Sequence, residues 1–168
     1  IILSMLAIVG CKQQENKSTN PFFSEFNTPF NVPPFDKIDT SHYIPAFVKG
    51  IEQQQSEIDA IVNNSEAPTF ENTVLPFDKS GVLYYRVKKV FYGLLSANSN
   101  PALQKIAQTV SEMTTKHQDN IALNEKLFQR IKVVYDNRET ANLDALQKRL
   151  VEKYYNEFVR NGANLSEA

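Results

Sequence analysis

Apolar side chains recur at helical spacing through most of the chain after residue 40. They lie three, four and seven positions apart, which puts them on one face of a helix. No segment alternates convincingly between polar and apolar residues, so no half-buried strand is predicted. The apolar positions of the five predicted helices are Ile44, Phe47, Val48, Ile51, Ile58, Ile61 and Val62; Phe70, Val74, Phe77, Val87, Val90, Phe91, Leu94 and Leu95; Leu103, Ile106, Ala107, Val110 and Met113; Leu127, Phe128, Ile131, Val134 and Tyr135; and Leu143, Leu146, Leu150, Val151, Tyr154 and Phe158.

Capping residues, prolines and glycines indicate where these helices begin and end. Asn100 followed by Pro101 is typical of a helix start. Pro76 removes an intrahelical hydrogen bond and Gly81 follows it, so we expect the second helix to kink or restart near residues 77–81. The connections are short, which makes neighbouring helices antiparallel. The predicted fold is therefore all-α, an antiparallel helical layer without an internal repeat.

An extended strap is predicted ahead of the first helix. Residues 20–36 hold four of the eight prolines and five of the eleven phenylalanines. Each proline lacks an amide donor and biases the residue before it toward an extended conformation, which rules out a helix in this stretch. Burying each phenylalanine would contribute about 2 to 3 kcal/mol. We therefore expect the strap to pack along the helical body.

The first ten residues form an apolar run that ends at Cys11, and the polar sequence KQQENKSTN follows. A transmembrane helix needs about twenty apolar residues, so this run is too short for one. It resembles a bacterial lipoprotein signal. That resemblance implies cleavage before Cys11 and attachment of a diacylglycerol to its sulfur, with a free thiol as the alternative.

The chain accordingly divides into three parts: a truncated lipoprotein signal (1–10), a lipidated cysteine with its tether (11–19) and a helical region (20–168). Acyl chains on Cys11 would hold the protein on a membrane surface. We expect a lipid-anchored location in the cell envelope, facing the periplasm; if the signal does not function, the protein would be cytoplasmic.

Charged residues are balanced and dispersed. Eighteen basic and nineteen acidic side chains leave a formal net charge of -1, and no block of one sign occurs, which excludes a nucleic-acid partner. The densest basic cluster is Arg86, Lys88 and Lys89. At helical spacing these three residues are interpreted as a solvated face, with a binding patch as the alternative.

The two histidines lack the pattern of a hydrolytic zinc site. Such a site is often built on HExxH, in which two histidines four residues apart share one helix face and the glutamate activates water. His42 begins HYIPA and His117 begins HQDNI. We interpret both as partly exposed surface or cap residues and predict no catalytic or metal-binding residue in this segment.

Two tyrosine pairs, Tyr84–Tyr85 and Tyr154–Tyr155, stand at adjacent positions. Adjacent side chains on a helix point about 100° apart. One member of each pair is therefore expected to pack in the core while the other lies at a rim. Contact with a peptide in a cleft remains the alternative.

Residues 20–168 resemble the amino-terminal region of the thimet-oligopeptidase-like zinc metallopeptidases, and within that family the bacterial peptidyl-dipeptidases. The likeness runs through NPFFSEFNTPFNVPPFDKID, SHYIPAF, APTFENTVLPFDKSG, SANSNPALQKIA, LNEKLFQRIKVVYD and EKYYNEFVRNGANLS. The resemblance implies that this segment is the incomplete amino-terminal part of a larger, nearly all-helical enzyme. Such an enzyme removes dipeptides from the carboxyl end of short peptides. Zinc in that family is bound by an HExxH helix outside the matching region.

The resemblance thus assigns this segment to one wall of a deep peptide channel, with no catalytic residue of its own and no activity alone. A second hypothesis remains open. The chain could be a free-standing helical lipoprotein that binds a peptide or protein partner without cleaving it.

Overall fold

The computed structural model describes residues 20–163, and every regular element within that range is helical. A π-helical turn, Phe70–Val74, leads directly into the second α-helix, and three short 3₁₀ turns precede the first: Pro21–Phe23, Pro29–Asn31 and Thr40–His42. This confirms the all-α prediction. The α-helices are α1 (Tyr43–Val62), α2 (Leu75–Lys79), α3 (Val82–Ala97), α4 (Pro101–Ala122), α5 (Glu125–Asp136) and α6 (Ala145–Arg160).

Polar side chains cap the later helices. The Asn100 side chain accepts a hydrogen bond from the Leu103 amide at 3.0 Å ahead of α4. Asn124 accepts one from the Leu127 amide at 2.9 Å ahead of α5, and the Asp144 carboxylate caps α6. Each cap satisfies amides that have no partner inside the helix. The predicted start at Asn100 is confirmed.

The second predicted helix is divided, as the proline and glycine indicated. The π-helical turn is capped by Thr69, and α2 contains Pro76 in its first turn. The backbone then becomes extended at Ser80 and left-handed at Gly81, where φ is 73°. The helix restarts as α3 directly after this glycine.

The first two long helices, α1 and α3, run in opposite directions. Between α1 and α3, Tyr43 lies 5.0 Å from Phe91 and Phe47 lies 6.3 Å from Tyr84, measured between ring centroids. As α1 advances from Tyr43 to Phe47, its partner in α3 moves back from Phe91 to Tyr84, which defines an antiparallel pair. The α5 and α6 helices also pack on each other.

Three apolar clusters form the core. The first joins the strap, the first half of α1, α3 and α4; the second joins the end of α1 to α5 and α6; the third lies under the π-helical turn. Their buried members are Phe22, Phe26, Tyr43, Ala46, Phe47, Leu83, Tyr84, Val87, Val90, Phe91, Leu103 and Val110; Ile58, Ile61, Leu127, Phe128, Ile131 and Phe158; and Phe70, Val74, Val134 and Val151.

The strap lies against this body through only part of its aromatic content. Phe22 and Phe26 are buried, whereas Phe23, Phe30 and Phe35 are exposed, with Phe30 at 97%. The predicted packing of the strap along the body therefore rests on two of its five phenylalanines. The prolines exclude an α-helix but allow 3₁₀ turns, and one of these turns carries Phe30 at a φ of 59° with its ring in solvent.

Arg86 attaches the strap to α3. Its Nη1 donates to the Ser24 carbonyl at 2.8 Å and to the Phe22 carbonyl at 3.4 Å, and its guanidinium lies 5.5 Å from the centre of the Phe26 ring. The interpretation of this basic cluster as a solvated face is therefore wrong for Arg86. Charge-assisted hydrogen bonds to carbonyl groups fix it in place.

Candidate functional site

The outward face of α3 forms the floor of a surface groove. Val82 and Tyr85 are 58% and 47% exposed, and Lys89 is also exposed. The three positions are spaced three and four apart, so they share one helix face. The opposite face of α3 enters the core, and the helix therefore presents apolar side chains on two sides.

The central part of the groove is a cavity of about 760 Å³. Phe77 and Asp78 of α2 line one side, and Lys153 and Tyr154 of α6 line another. Small-molecule and peptide sites usually occupy clefts of roughly 300 to 1,000 Å³. The cavity has the size of such a site.

The cavity continues in both directions. A space of about 520 Å³ extends toward the end of α4 and shares Tyr85 and Tyr154 with the centre. Another of about 380 Å³ extends under the strap and shares Arg86 and Lys89. The three spaces together are named the α3 groove.

The centre of the α3 groove carries an excess of positive charge. Among residues 20–163, four basic side chains line it, Lys79, Arg86, Lys89 and Lys153, against one carboxylate, Asp78. The whole chain has a formal net charge of -1. The excess is therefore a local property of the groove, and it favours an anionic ligand over a cationic one.

The Asp78 carboxylate is hydrogen-bonded to a tyrosine of α6. The Tyr154 hydroxyl donates to Asp78 Oδ1 at 2.7 Å. Burial, and then this hydrogen bond, raise the pKa of Tyr154, so its hydroxyl stays protonated and remains a donor. The Tyr154 ring lies 4.8 Å from Phe77 and beneath the Lys153 ammonium at 4.3 Å. Asp78 is thus engaged with α6.

The tyrosine pairs differ in how they meet the core. Tyr84 is 1% exposed and Tyr85 is 47% exposed, which confirms the prediction for this pair. Tyr154 and Tyr155 are both partly buried, so the prediction is wrong for the second pair. Tyr155 stacks on Tyr135 at 3.8 Å between ring centroids, and this contact removes it from the rim.

A chain of buried polar groups lies below the groove. His117 Nε2 lies 2.9 Å from Gln54 Oε1, and Gln54 Nε2 donates to Ser80 Oγ at 3.3 Å. The Ser80 hydroxyl then donates to the Phe77 carbonyl at 2.8 Å. Because the Gln54 oxygen is an acceptor, His117 carries its proton on Nε2. The chain joins α1 and α4 to the junction between α2 and α3.

Gly81 makes this junction possible. Its amide donates to Glu57 Oε2 at 2.7 Å, and its φ of 73° lies in the left-handed region that glycine adopts without strain. A Cβ at this position would lie 2.5 Å from the Gln54 side chain. Close approach and backbone conformation both require glycine here.

The two histidines have structural partners. His42 Nδ1 accepts the Asp39 amide at 3.1 Å as part of a capping box, which agrees with a cap role. His42 as a whole is 9% exposed, however, and His117 is only 3% exposed. The prediction of partial exposure is therefore wrong for His117, which lies inside the helical body between Gln54 and Tyr84.

No model of a protein family matches the chain, but individual proteins do. Dipeptidyl carboxypeptidase of Salmonella typhimurium is 39% identical over 150 residues, which cover 89% of this chain and 22% of the Salmonella protein. The Escherichia coli protein of the same name is 39% identical over 149 residues, with the same coverage. Oligopeptidase A of Escherichia coli is 24% identical over 147 residues. The chain thus spans about one fifth of the length of these relatives.

These similarities define the class of the chain. It belongs to the thimet-oligopeptidase-like zinc metallopeptidases and matches their amino-terminal region, as the sequence resemblance indicated. Within the family, it is similar to the two bacterial dipeptidyl carboxypeptidases.

The family is generally zinc-dependent, but the described residues do not fit a zinc site. Between residues 20 and 163, no three side chains of His, Cys, Asp or Glu are grouped to hold a metal. His42 accepts a backbone amide, and His117 is paired with Gln54. No step of a zinc reaction is therefore assigned to these residues.

Cys11, the predicted lipidation site, lies outside the described residues. Among the helices that the structure describes, none combines the length and the apolarity needed to cross a membrane.

Sequence reasoning did not identify the groove. The sequence pattern does not single out Val82, Lys79 or Lys153 as members of a site. A signal was present, because Val82, Tyr85 and Lys89 repeat at helical spacing on the side of α3 opposite its core positions. Gln54 gave no such signal, since a glutamine in a polar stretch is ordinarily exposed.

Proposed function

We propose that this chain is the amino-terminal, channel-wall part of a zinc-dependent peptidyl-dipeptidase that removes dipeptides from the carboxyl end of short peptides. The observation that carries the proposal is 39% identity over about nine tenths of the chain to two dipeptidyl carboxypeptidases. The helical fold of residues 20–163 agrees with it. The more distant similarity to oligopeptidase A supports peptides as the substrate class.

The role proposed for this segment is enclosure of the substrate. The metal ligands and the residues that act on the scissile bond belong to a part of the enzyme that the segment does not match. The segment alone is expected to bind no zinc tightly and to release no dipeptides.

Reading the gene beyond the codon for Ala168 tests the proposal. We expect an open frame that encodes HExxH within several hundred codons, and a product that releases dipeptides from short peptides in a chelator-sensitive reaction. A stop codon directly after Ala168, or a long frame without a metal-binding motif, would contradict it. Chelator-sensitive cleavage by the present chain, freed of contaminating proteases, would contradict the inactive role of the segment.

We also propose that the parent enzyme is anchored in the cell envelope through Cys11, facing the periplasm. The support is the apolar run that ends at this cysteine and the polar tether that follows it. Mass spectrometry of the protein produced in a bacterial host should find diacylglycerol on Cys11. The variant Cys11→Ser should move the protein to the soluble fraction; an unmodified cysteine in the wild-type protein would refute the anchor.

A free-standing helical lipoprotein that binds peptides is the second candidate. The observation that favours it is the α3 groove, which has the volume of a binding site within the segment itself. The same reading of the gene separates the two candidates, because this one requires a stop codon soon after Ala168.

A further inference from the structure

We propose that the α3 groove binds an extended, acidic segment of a peptide. The inference deepens the proposed function, on which it rests, by naming the class of peptide that this segment would hold.

The shape of the groove suits an extended peptide. From Val82 to Lys89 the floor rises seven residues along α3, which is about 10 Å at 1.5 Å per residue. An extended peptide advances about 3.3 Å per residue, so about three residues would cover this floor. The spaces toward the strap and toward α4 lengthen the path at both ends.

The floor supplies apolar contact to such a peptide. Val82 and Tyr85 expose about half of their surface or more. Tyr85 is supported from below by Tyr84, 5.2 Å away between ring centroids, so its ring is held in place. A held aromatic side chain offers contact area at a low cost in conformational entropy.

The charges select the acidic class of peptide. Within residues 20–163, neither Lys79 nor Lys89 forms an ion pair, so both ammonium groups are available to a ligand. The one carboxylate of the centre, Asp78, accepts a hydrogen bond from Tyr154. A peptide carboxylate placed at the centre would therefore meet Lys79 and Lys89, whereas Lys153 is already paired with Glu157 at 3.8 Å.

Acidic side chains stand at the two ends of the groove. Glu25 lies at the strap end, and Asp119 and Glu157 lie at the α4 end. They limit the favourable position of a ligand carboxylate to the centre. The site therefore prefers a peptide with one or two acidic residues in its middle to one that is acidic throughout.

Direct titration tests the proposal. The probe is a five-residue peptide amide, acetyl-Trp-Ala-Glu-Ala-Ala-NH2, and the full 168-residue chain is the receptor. The chain contains no tryptophan, so probe fluorescence is read without interference from protein tryptophan. We expect saturable binding that weakens as salt rises, because salt screens exposed charges. The same peptide with glutamine in place of glutamate should bind several-fold more weakly.

Two matched charge reversals locate the binding. Lys89→Glu changes the groove, and Lys105→Glu changes an exposed lysine of α4 that does not line it. We expect Lys89→Glu to weaken binding about tenfold, since it replaces an attraction by a repulsion. Lys105→Glu should leave affinity within about twofold, and circular dichroism should show equal folding of both variants.

The proposal would be overturned if the acidic probe showed no saturable binding or if the glutamine peptide bound equally well. It would also be overturned if the two variants lost affinity equally. Binding to the present chain but not to the full-length enzyme would also overturn it, because the groove would then be a face covered by the rest of the enzyme. None of the titrations on this chain requires the zinc site proposed for the parent enzyme. A failure here therefore leaves the peptidase proposal standing, and a gene without a metal-binding motif leaves the binding result standing.

Discussion

The inner and outer faces of α3 use similar residues for different ends. The inner face places Tyr84, Val87 and Phe91 in the core, all at most 1% exposed. The outer face leaves Val82 and Tyr85 about half exposed along a groove. Burial accounts for the apolar residues of the inner face. It does not account for those of the outer face, which line the α3 groove together with basic side chains.

Geometry separates the two faces as clearly as exposure does. Phe91 packs edge-on against Phe47 and Tyr43, at 5.6 and 5.0 Å between ring centroids. Edge-to-face aromatic pairs contribute beyond the area they bury. The outer face instead combines Val82 and Tyr85 with basic side chains. The comparison predicts that inner-face variants lose stability and that outer-face variants lose binding.

The largest expected effect comes from the inner face. Phe91→Ala should lower the free energy of unfolding by about 3 to 5 kcal/mol, because it removes a fully buried ring and leaves a cavity. Val82→Ala on the outer face should change it by no more than about 0.5 kcal/mol. Urea unfolding followed by circular dichroism measures both. Similar losses in the two variants would show that the outer face is also part of the stabilising core.

The next effect concerns the junction where α3 begins. Gly81→Ala should cost about 1 to 3 kcal/mol, because alanine is strained at a φ of 73° and its Cβ would displace Gln54. Gly93→Ala is the matched control. This glycine lies within α3, and no atom of residues 20–163 lies within 4 Å of an added Cβ, so alanine should stabilise by about 0.5 to 1 kcal/mol. A stability loss in both variants would contradict the explanation from conformation and contact.

The helical body could be predicted because its signals are local. The apolar spacing identified the inner face of α3, Asn100 indicated the start of α4, and Pro76 with Gly81 indicated the restart before α3. Each of these signals acts within one or two turns of the chain. The burial of the strap could not be predicted residue by residue. Whether Phe22 or Phe30 meets the body depends on the 3₁₀ turns and on Arg86, which lies 64 positions after Phe22 in the chain.

The α3 groove and the buried polar chain could not be predicted for a similar reason. Gln54, Ser80 and His117 lie on separate elements, and only packing brings them within hydrogen-bonding distance. Lys89 of α3 and Lys153 of α6 line the same cavity, but nothing in the sequence indicates this. The absence of HExxH, by contrast, can be established from the sequence alone, since that motif is local.

The smallest expected effect tests the inner face through pH. Burial lowers the pKa of His117, whose ring packs against Tyr84 at 5.3 Å. In the unfolded chain the imidazole titrates near pH 6.5, so below that pH the unfolded state binds the proton more readily than the folded state. The free energy of unfolding should therefore be unaffected by this group above pH 6.5 and should fall as the pH drops below about 6.5.

His117→Gln keeps an NH donor for Gln54 and removes the titration, so its unfolding free energy should fall less between about pH 7 and about pH 5.5. The carboxylates with lowered pKa values, Asp39 and Glu139, titrate below this window. Equal slopes in the variant and the wild-type protein, measured by urea unfolding at each pH, would show that His117 is accessible to protons in the folded state and that the inner face is open at this point.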